Sequence, residues 1–313
     1  MNKKNKHGGK SVIIVGIIAI IIITICSFNK KTIVYNYYKY TTDKKYANAY
    51  ENRYFLEDNF NYVENYKDTG IKSREELINY IYYVLNAGVS YSERYIDKSY
   101  TTYHKDINYL TENKSENFKE QVSILNNFVH PYNSSDNVKL SYGGDYLIGI
   151  TIEKYYSKEE ITKINEVADK VIKEKTNNTM PIKEKIKIIH DYIIDNTEYD
   201  KLKNDNANDT TYKSQTAYGA LIEGYATCNG YSDAMAIFLS KINVINYKIS
   251  NENHIWNLVY LDGTWYHLDL TWDDPISETN TNRDTYFLIT TDELEKLNDG
   301  THYYDKKIYS EAS

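Results

Sequence analysis

Cysteine and proline are both scarce in this chain, with 2 and 3 among 313 residues. A basic excess is also missing. The net charge of -7 and pI near 5.6 exclude the positive footprint of a nucleic-acid binder. No glycine-rich phosphate cradle, no His, Cys and acid cluster at metal-ligand spacing and no internal repeat is present, so no metal and no other cofactor is expected. The segment DNANDT lacks the glycine and the distant glutamate of a calcium loop. Tyrosine is abundant instead, at 35, but base composition explains that as readily as function does. It identifies no activity.

A long apolar run does stand out. Val12 to Phe28 reads VIIVGIIAIIIITICSF, preceded by Lys3, Lys4, Lys6 and Lys10 and followed by Lys30 and Lys31. Its length is at the short end for a bilayer span, and the lysine excess before it favours an N-terminus inside the cell. A cleaved signal peptide is the main rival, yet no A-x-A-like site follows. Lipidation of Cys26 is another, but Ile25 is bulky for the residue before a lipidated cysteine. The expectation is an uncleaved single-pass anchor, residues 12–28, with 1–11 as a basic cytoplasmic tail and the C-terminal part outside the cytoplasm. If Cys26 lies in the membrane, Cys228 has no disulfide partner. A lone exported thiol invites a functional reading.

Residues 29–70 are polar with weak periodicity and read as a tether leading into irregular structure. Ser73 with Glu76 opens a helix that Gly88 can end. A second helix is expected over 115–129. NVKLSY and DYLIGITIEKY flank Gly143 and Gly144 as a β-hairpin, so 71–155 forms a small α+β accessory region. Ser157 with Glu160 caps the next helix, and Pro181 starts another whose Ile186, Ile189 and Ile193 mark a buried face. His190 beside that stripe is a packing residue.

The chemistry concentrates in Gly224 to Pro275. Ala217 to Ile222 forms a short helical turn that Gly224 breaks. Thr227 then caps a new helix with Cys228 at its first residue, where the helix dipole and free N–H groups favour a thiolate and a developing oxyanion. Downstream, Asp262-Gly263 between alternating apolar runs implies a two-residue turn. Leu261 then faces Thr264, which makes His254 and Asp269 diagonal neighbours on one face, about 7–8 Å apart at the backbone. The opposite face, with Ile255, Val259, Leu261, Tyr266, Leu268 and Leu270, should pack on the core. His267 is an alternative base farther along the strand. Trp256, Trp265 and Trp272 can wall the site or simply pack.

Cys228 in TCNGYSDAM, His254 in HIWN and Asp269 in WYHLDLTWDDP resemble the transglutaminase-like superfamily, as does the helical material IHDYIIDNTEYD and TAYGALIEG before them. The resemblance covers residues 157–313 and points to bacterial members. It implies an α+β, papain-like core, a Cys-bearing helix packed on an antiparallel sheet, with Cys228 as nucleophile, His254 as general base and acid, and Asp269 as its orienting partner. Ile222 stands where papain-like enzymes place an oxyanion glutamine, leaving Gln215 or Tyr218 as substitutes. Protein or peptide substrates, including cell-wall peptides, would be hydrolysed or transferred at an amide bond. The rival expectation is a silent version of the fold acting as a cell-surface binding module.

Overall fold

The computed structural model describes residues 8–46, 52–58, 60–66, 70–111, 122–274 and 283–312. The apolar run lies in helix α1, Gly8–Phe28. Its apolar side chains from Val15 onward are exposed, Phe28 to 87%. A sharp bend separates it from α2, Lys30–Tyr46. Among the described residues no single helix is long and apolar enough to cross a membrane; Val15–Ile25 and Lys30–Thr42 pass together by length and composition only, bent by 74°. Lys3, Lys4 and Lys6, and the side chains of Lys10 and Cys26, lie outside the described residues.

α2 departs from the expected tether. Tertiary contact overrides its weak periodicity, because Tyr35 packs edge-on against Tyr95 and Tyr146 at 5.7 and 5.5 Å and donates to Asp97 at 3.1 Å. Helix α3, Arg74–Asn86, starts where Ser73 accepts the Glu76 N–H. A three-stranded antiparallel sheet follows, with β1 Tyr91–Tyr95, β2 Ser135–Tyr142 and β3 Leu147–Lys154 in the order β1-β3-β2. The β2–β3 turn is longer than its two glycines suggest: Tyr142 pairs with Ile148, and a short 3-10 turn covers Gly144–Tyr146. Between β1 and β2 lies α4, Tyr103–Thr111. Residues 115–121 of the helix expected over 115–129 lie outside the described residues, and Ile124–Phe128 forms a 3-10 turn.

The second half builds α5, Lys158–Lys175, with both halves of its capping box at Ser157 and Glu160, and α6, Ile182–Asn196, after Pro181. A short parallel pair, β4 Glu198–Tyr199 and β5 Tyr225–Ala226, brackets the helix α7, Lys201–Asp205, in what the sequence presents as a solvated loop. Gly219–Glu223 is a π-helical turn that ends at Gly224, whose φ of 79° is readily open only to glycine. Helix α8, Cys228–Lys241, then packs on an antiparallel sheet of β6 Asn246–Ser250, β7 Ile255–Leu261 and β8 Thr264–Leu268. Two short helices follow, α9 Leu270–Asp273 and α10 Thr291–Leu297.

The turn at Asp262-Gly263 has φ of 50° and 87°, the signs a type I′ turn requires, and Leu261 faces Thr264. The hairpin register therefore agrees with the sequence reading. Its burial does not, because both faces are covered. Val259 and Leu268 meet the α8 core with Phe238 and Leu239, while Tyr247, Ile249, Trp256 and Leu258 join a second core with Ile81, Leu85 and Phe128 from the N-terminal region. Phe128 and Phe60 each lie 5.0 Å from the Tyr247 ring. Each large apolar side chain fully buried there contributes about 1.5–3 kcal/mol. The sheet that carries the candidate site is thereby held rigid from both sides.

Candidate active site

Cys228 is the first residue of α8, as its sequence context implies, and is half-buried. Thr227 takes the N-cap position with extended φ and ψ of -93° and 178°, but its side chain caps nothing in the helix. The hydroxyl and N–H of Thr227 both bond the Ser214 carbonyl, at 3.3 and 2.8 Å. This corrects the expected Thr227 cap: the Thr227 side chain accepts none of the first-turn N–H groups of α8, which begins at the cleft residue Cys228. The close approach of the 214–216 loop depends on Gly230, where an added Cβ would meet the Ser214 carbonyl oxygen at 2.3 Å.

His254 precedes β7, and its imidazole is fixed from three sides. Nε2 lies 2.5 Å from Asp269 Oδ2, Trp256 stacks on the ring at 5.5 Å with an 18° interplanar angle, and His302 meets it edge-on at 5.2 Å, while Cys228 lines the same cleft. With Nε2 on the carboxylate, Nδ1 is the nitrogen left for the thiol. Its backbone is held too, because the Asn251 side chain accepts the N–H groups of Asn253 and His254, both at 2.9 Å.

Asp269 is not on the strand. β8 ends at Leu268, and Asp269 caps α9, where Oδ1 accepts the N–H of Thr271 at 2.8 Å and of Trp272 at 3.4 Å. The carboxylate's own affinity for free N–H groups ends the strand early. Asp269 Oδ2 takes two imidazoles, His254 and, at 2.9 Å, His302. Burial would raise the Asp269 carboxyl, but the His254 charge and these hydrogen bonds hold it well below the usual carboxylate range. Burial would likewise lower His254, yet Asp269 and, after it, Cys228 push that imidazole up to about 10. The arrangement favours a protonated imidazole at His254 around neutral pH.

His302 and Asp299 carry no signal in the sequence beyond a local turn. Asp299 accepts the N–H of Thr301 and His302 at 2.8 and 3.1 Å, a turn any Asp can make, and only folding brings its other oxygen to His302 Nδ1 at 2.7 Å. His254, Asp269 and His302 bring one ligand atom each within 4.8 Å of one another. Their contacts of 2.5 and 2.9 Å are shorter than the roughly 3.3 Å separating tetrahedral ligands about 2.0–2.1 Å from a zinc ion. They are hydrogen bonds.

A cleft of about 460 Å³ opens at Cys228 and His254. Gln215 lines it, with its carbonyl accepting Asn229 Nδ2 at 2.7 Å. Tyr218 does not line it: its hydroxyl accepts from Lys163 at 3.4 Å on the α5 side of the turn. Trp256 is buried and Trp272 is 41% exposed, 6.4 Å from His254. His267 is buried and turned away from the cleft; Nδ1 accepts from Trp256 Nε1 at 3.0 Å, so Nε2 carries the hydrogen and donates to Thr291. Burial, with the His302 charge, pushes it down to about 3. The far wall comes from the N-terminal region, through Ser123, Ile124, Asn126, Asn127 and Ser134.

On the floor, the Lys248 ammonium lies 2.5 Å from Asp233 Oδ1, with side chains 4% and 2% exposed. Tyr156 donates to Asp233 Oδ2 at 2.6 Å and accepts the Ala217 N–H at 2.8 Å. This buried group ties α8, β6 and the turn after Gln215 into one unit. His190 is buried as expected, between Asp191 at 2.9 Å and Asp273 at 3.2 Å.

Residues 165–270 match the family model of the transglutaminase-like superfamily. A solved structure described as the crystal structure of a TGase is similar over 48% of this chain and 47% of its own, at 17% identity and a TM-score of 0.35. The chain thus spans about half the length of that protein. No curated protein matches. The segment 165–270 that matches the transglutaminase-like superfamily holds Cys228, His254 and Asp269.

Proposed function

We propose that the protein is a thiol enzyme that acts on amide bonds of proteins or cell-wall peptides through Cys228, His254 and Asp269. One observation carries this reading: the His254 ring is held on the Asp269 carboxylate and lines one open polar cleft together with Cys228. The Cys228 thiolate attacks the amide carbonyl carbon, and the C–N bond breaks as His254 Nδ1–H protonates the departing amine. N–H groups at the start of α8 receive the oxyanion in between. The product is a thioester on Cys228. Attack by water, with His254 as base, gives hydrolysis; attack by a primary amine gives a new amide. The exposed apolar side chains of α1 from Val15 onward support a membrane anchor over 12–28 with the cleft outside the cytoplasm.

The test is incubation of the protein with peptide amides, with and without a primary amine, followed by mass analysis. Turnover is expected in the wild type and absent in Cys228→Ala. Equal products from both would overturn the proposal, and recovery of the protein in a carbonate-washed soluble fraction would overturn the anchor.

A further inference from the structure

We propose that His302 and Asp299 are positioning residues of this site, extending it into an uninterrupted hydrogen-bonded series Asp299, His302, Asp269, His254. The inference rests on the amide-bond reading above and adds to it two residues outside the 165–270 segment.

Four observations support it. His302 shares one oxygen of Asp269 with His254, at 2.9 and 2.5 Å, so the two imidazoles fix that carboxylate between them. Its other nitrogen is fixed by Asp299 at 2.7 Å, and Tyr286 both donates to Asp299 at 2.9 Å and stacks on the His302 ring at 4.6 Å. The His302 side chain is only 2% exposed, so these partners are its environment rather than solvent. Finally, the Asn251 amide that holds the His254 backbone also donates to the carbonyls of Thr301 and Tyr303, at 2.6 and 2.9 Å. Segment 299–303 is therefore joined to the His254 loop through both side chain and backbone.

The chemical consequence has a definite sign. A carboxylate oxygen shared between two donors attracts each less strongly than it would attract one alone. His302 thus moderates the grip of Asp269 on His254 while preventing rotation of the carboxylate. Removing His302 should strengthen the remaining Asp269–His254 interaction and loosen its orientation. The charged and titratable groups facing His254 are Asp269, Cys228 and His302, with Asp299 behind His302.

The experiment uses the full chain as wild type, His302→Ala, His302→Gln and Asp299→Asn, each checked for folding by circular dichroism. It reads the His254 imidazole titration by NMR and the rate of Cys228 alkylation by iodoacetamide at pH 7. In His302→Ala the His254 midpoint should rise by about half a pH unit or more, and alkylation should slow at least about threefold as the ring loses its fixed partner. His302→Gln keeps an N–H donor and should return both readings most of the way. Asp299→Asn should fall between. A folded His302→Ala with both readings unchanged overturns the proposal and leaves the thiol enzyme standing. So does equal loss in the alanine and glutamine variants, which would mark His302 as packing alone. A wild-type Cys228 that reacts like a free peptide thiol overturns both readings together.

Discussion

Asn257 Nδ2 donates to the Ser232 carbonyl at 2.9 Å, joining the strand that leads from His254 to the helix that begins at Cys228. Asn257 is 1% exposed, so neither group has water as a substitute partner. Asn257→Ala removes this bond while the Ser232 carbonyl keeps its place in the α8 ladder, at a cost of about 0.5–1.5 kcal/mol. The urea midpoint should fall with an unchanged slope. Alkylation of Cys228 should slow as well, because the distance between the two halves of the site is no longer fixed. A variant as stable and as reactive as the wild type would show that helix and strand are held by apolar packing alone.

Lys248 and Asp233 make a second, sharper prediction. Breaking a buried pair leaves an uncompensated charge, typically about 3–5 kcal/mol, so Lys248→Met should be strongly destabilising. Adding Asp233→Asn should recover a large part, since the amide still accepts from the Tyr156 hydroxyl without a charge. Thermal melts of the two single variants and the double variant measure the coupling. Additive losses would mean that the ammonium and carboxylate do not interact in solution.

The pH dependence of stability follows from the direction of the two shifts. His254 is raised in the folded chain, so its contribution is complete below its unfolded value of about 6.5. That contribution is lost as pH rises toward the folded value of about 10. Asp269 is depressed, so its share is present above about 3.9 and is lost only as pH falls below that toward its folded value. The advantage of wild type over His254→Gln in urea should therefore be greatest between about pH 4 and 6.5 and shrink through the alkaline range. An advantage that grows from pH 7 to 10 would contradict the ion pair.

Much of the arrangement was legible because it is local. The positive φ values at Asp262 and Gly263 are a property of that dipeptide between two alternating runs, and they alone fix which residues of β7 and β8 face one another. The position of Cys228 at a helix start follows from the break at Gly224 and the apolar spacing that follows. Two local inferences failed for reasons that are themselves physical. Thr227 prefers the Ser214 carbonyl to its own helix, and Asp269 bonds the N–H groups of Thr271 and Trp272 instead of extending the strand. In both cases a short polar side chain had two partners within reach, and the tertiary setting chose.

The sequence by itself determined the hairpin register and the helix carrying Cys228, because turn dihedrals, glycine breaks and periodicity act over a few residues. Tertiary structure alone decided that both faces of the β6–β8 sheet are buried, that the N-terminal region walls the cleft, and that His302 meets Asp269. Those contacts join segments far apart in the chain, and periodicity marks which face of an element is buried without specifying what packs against it.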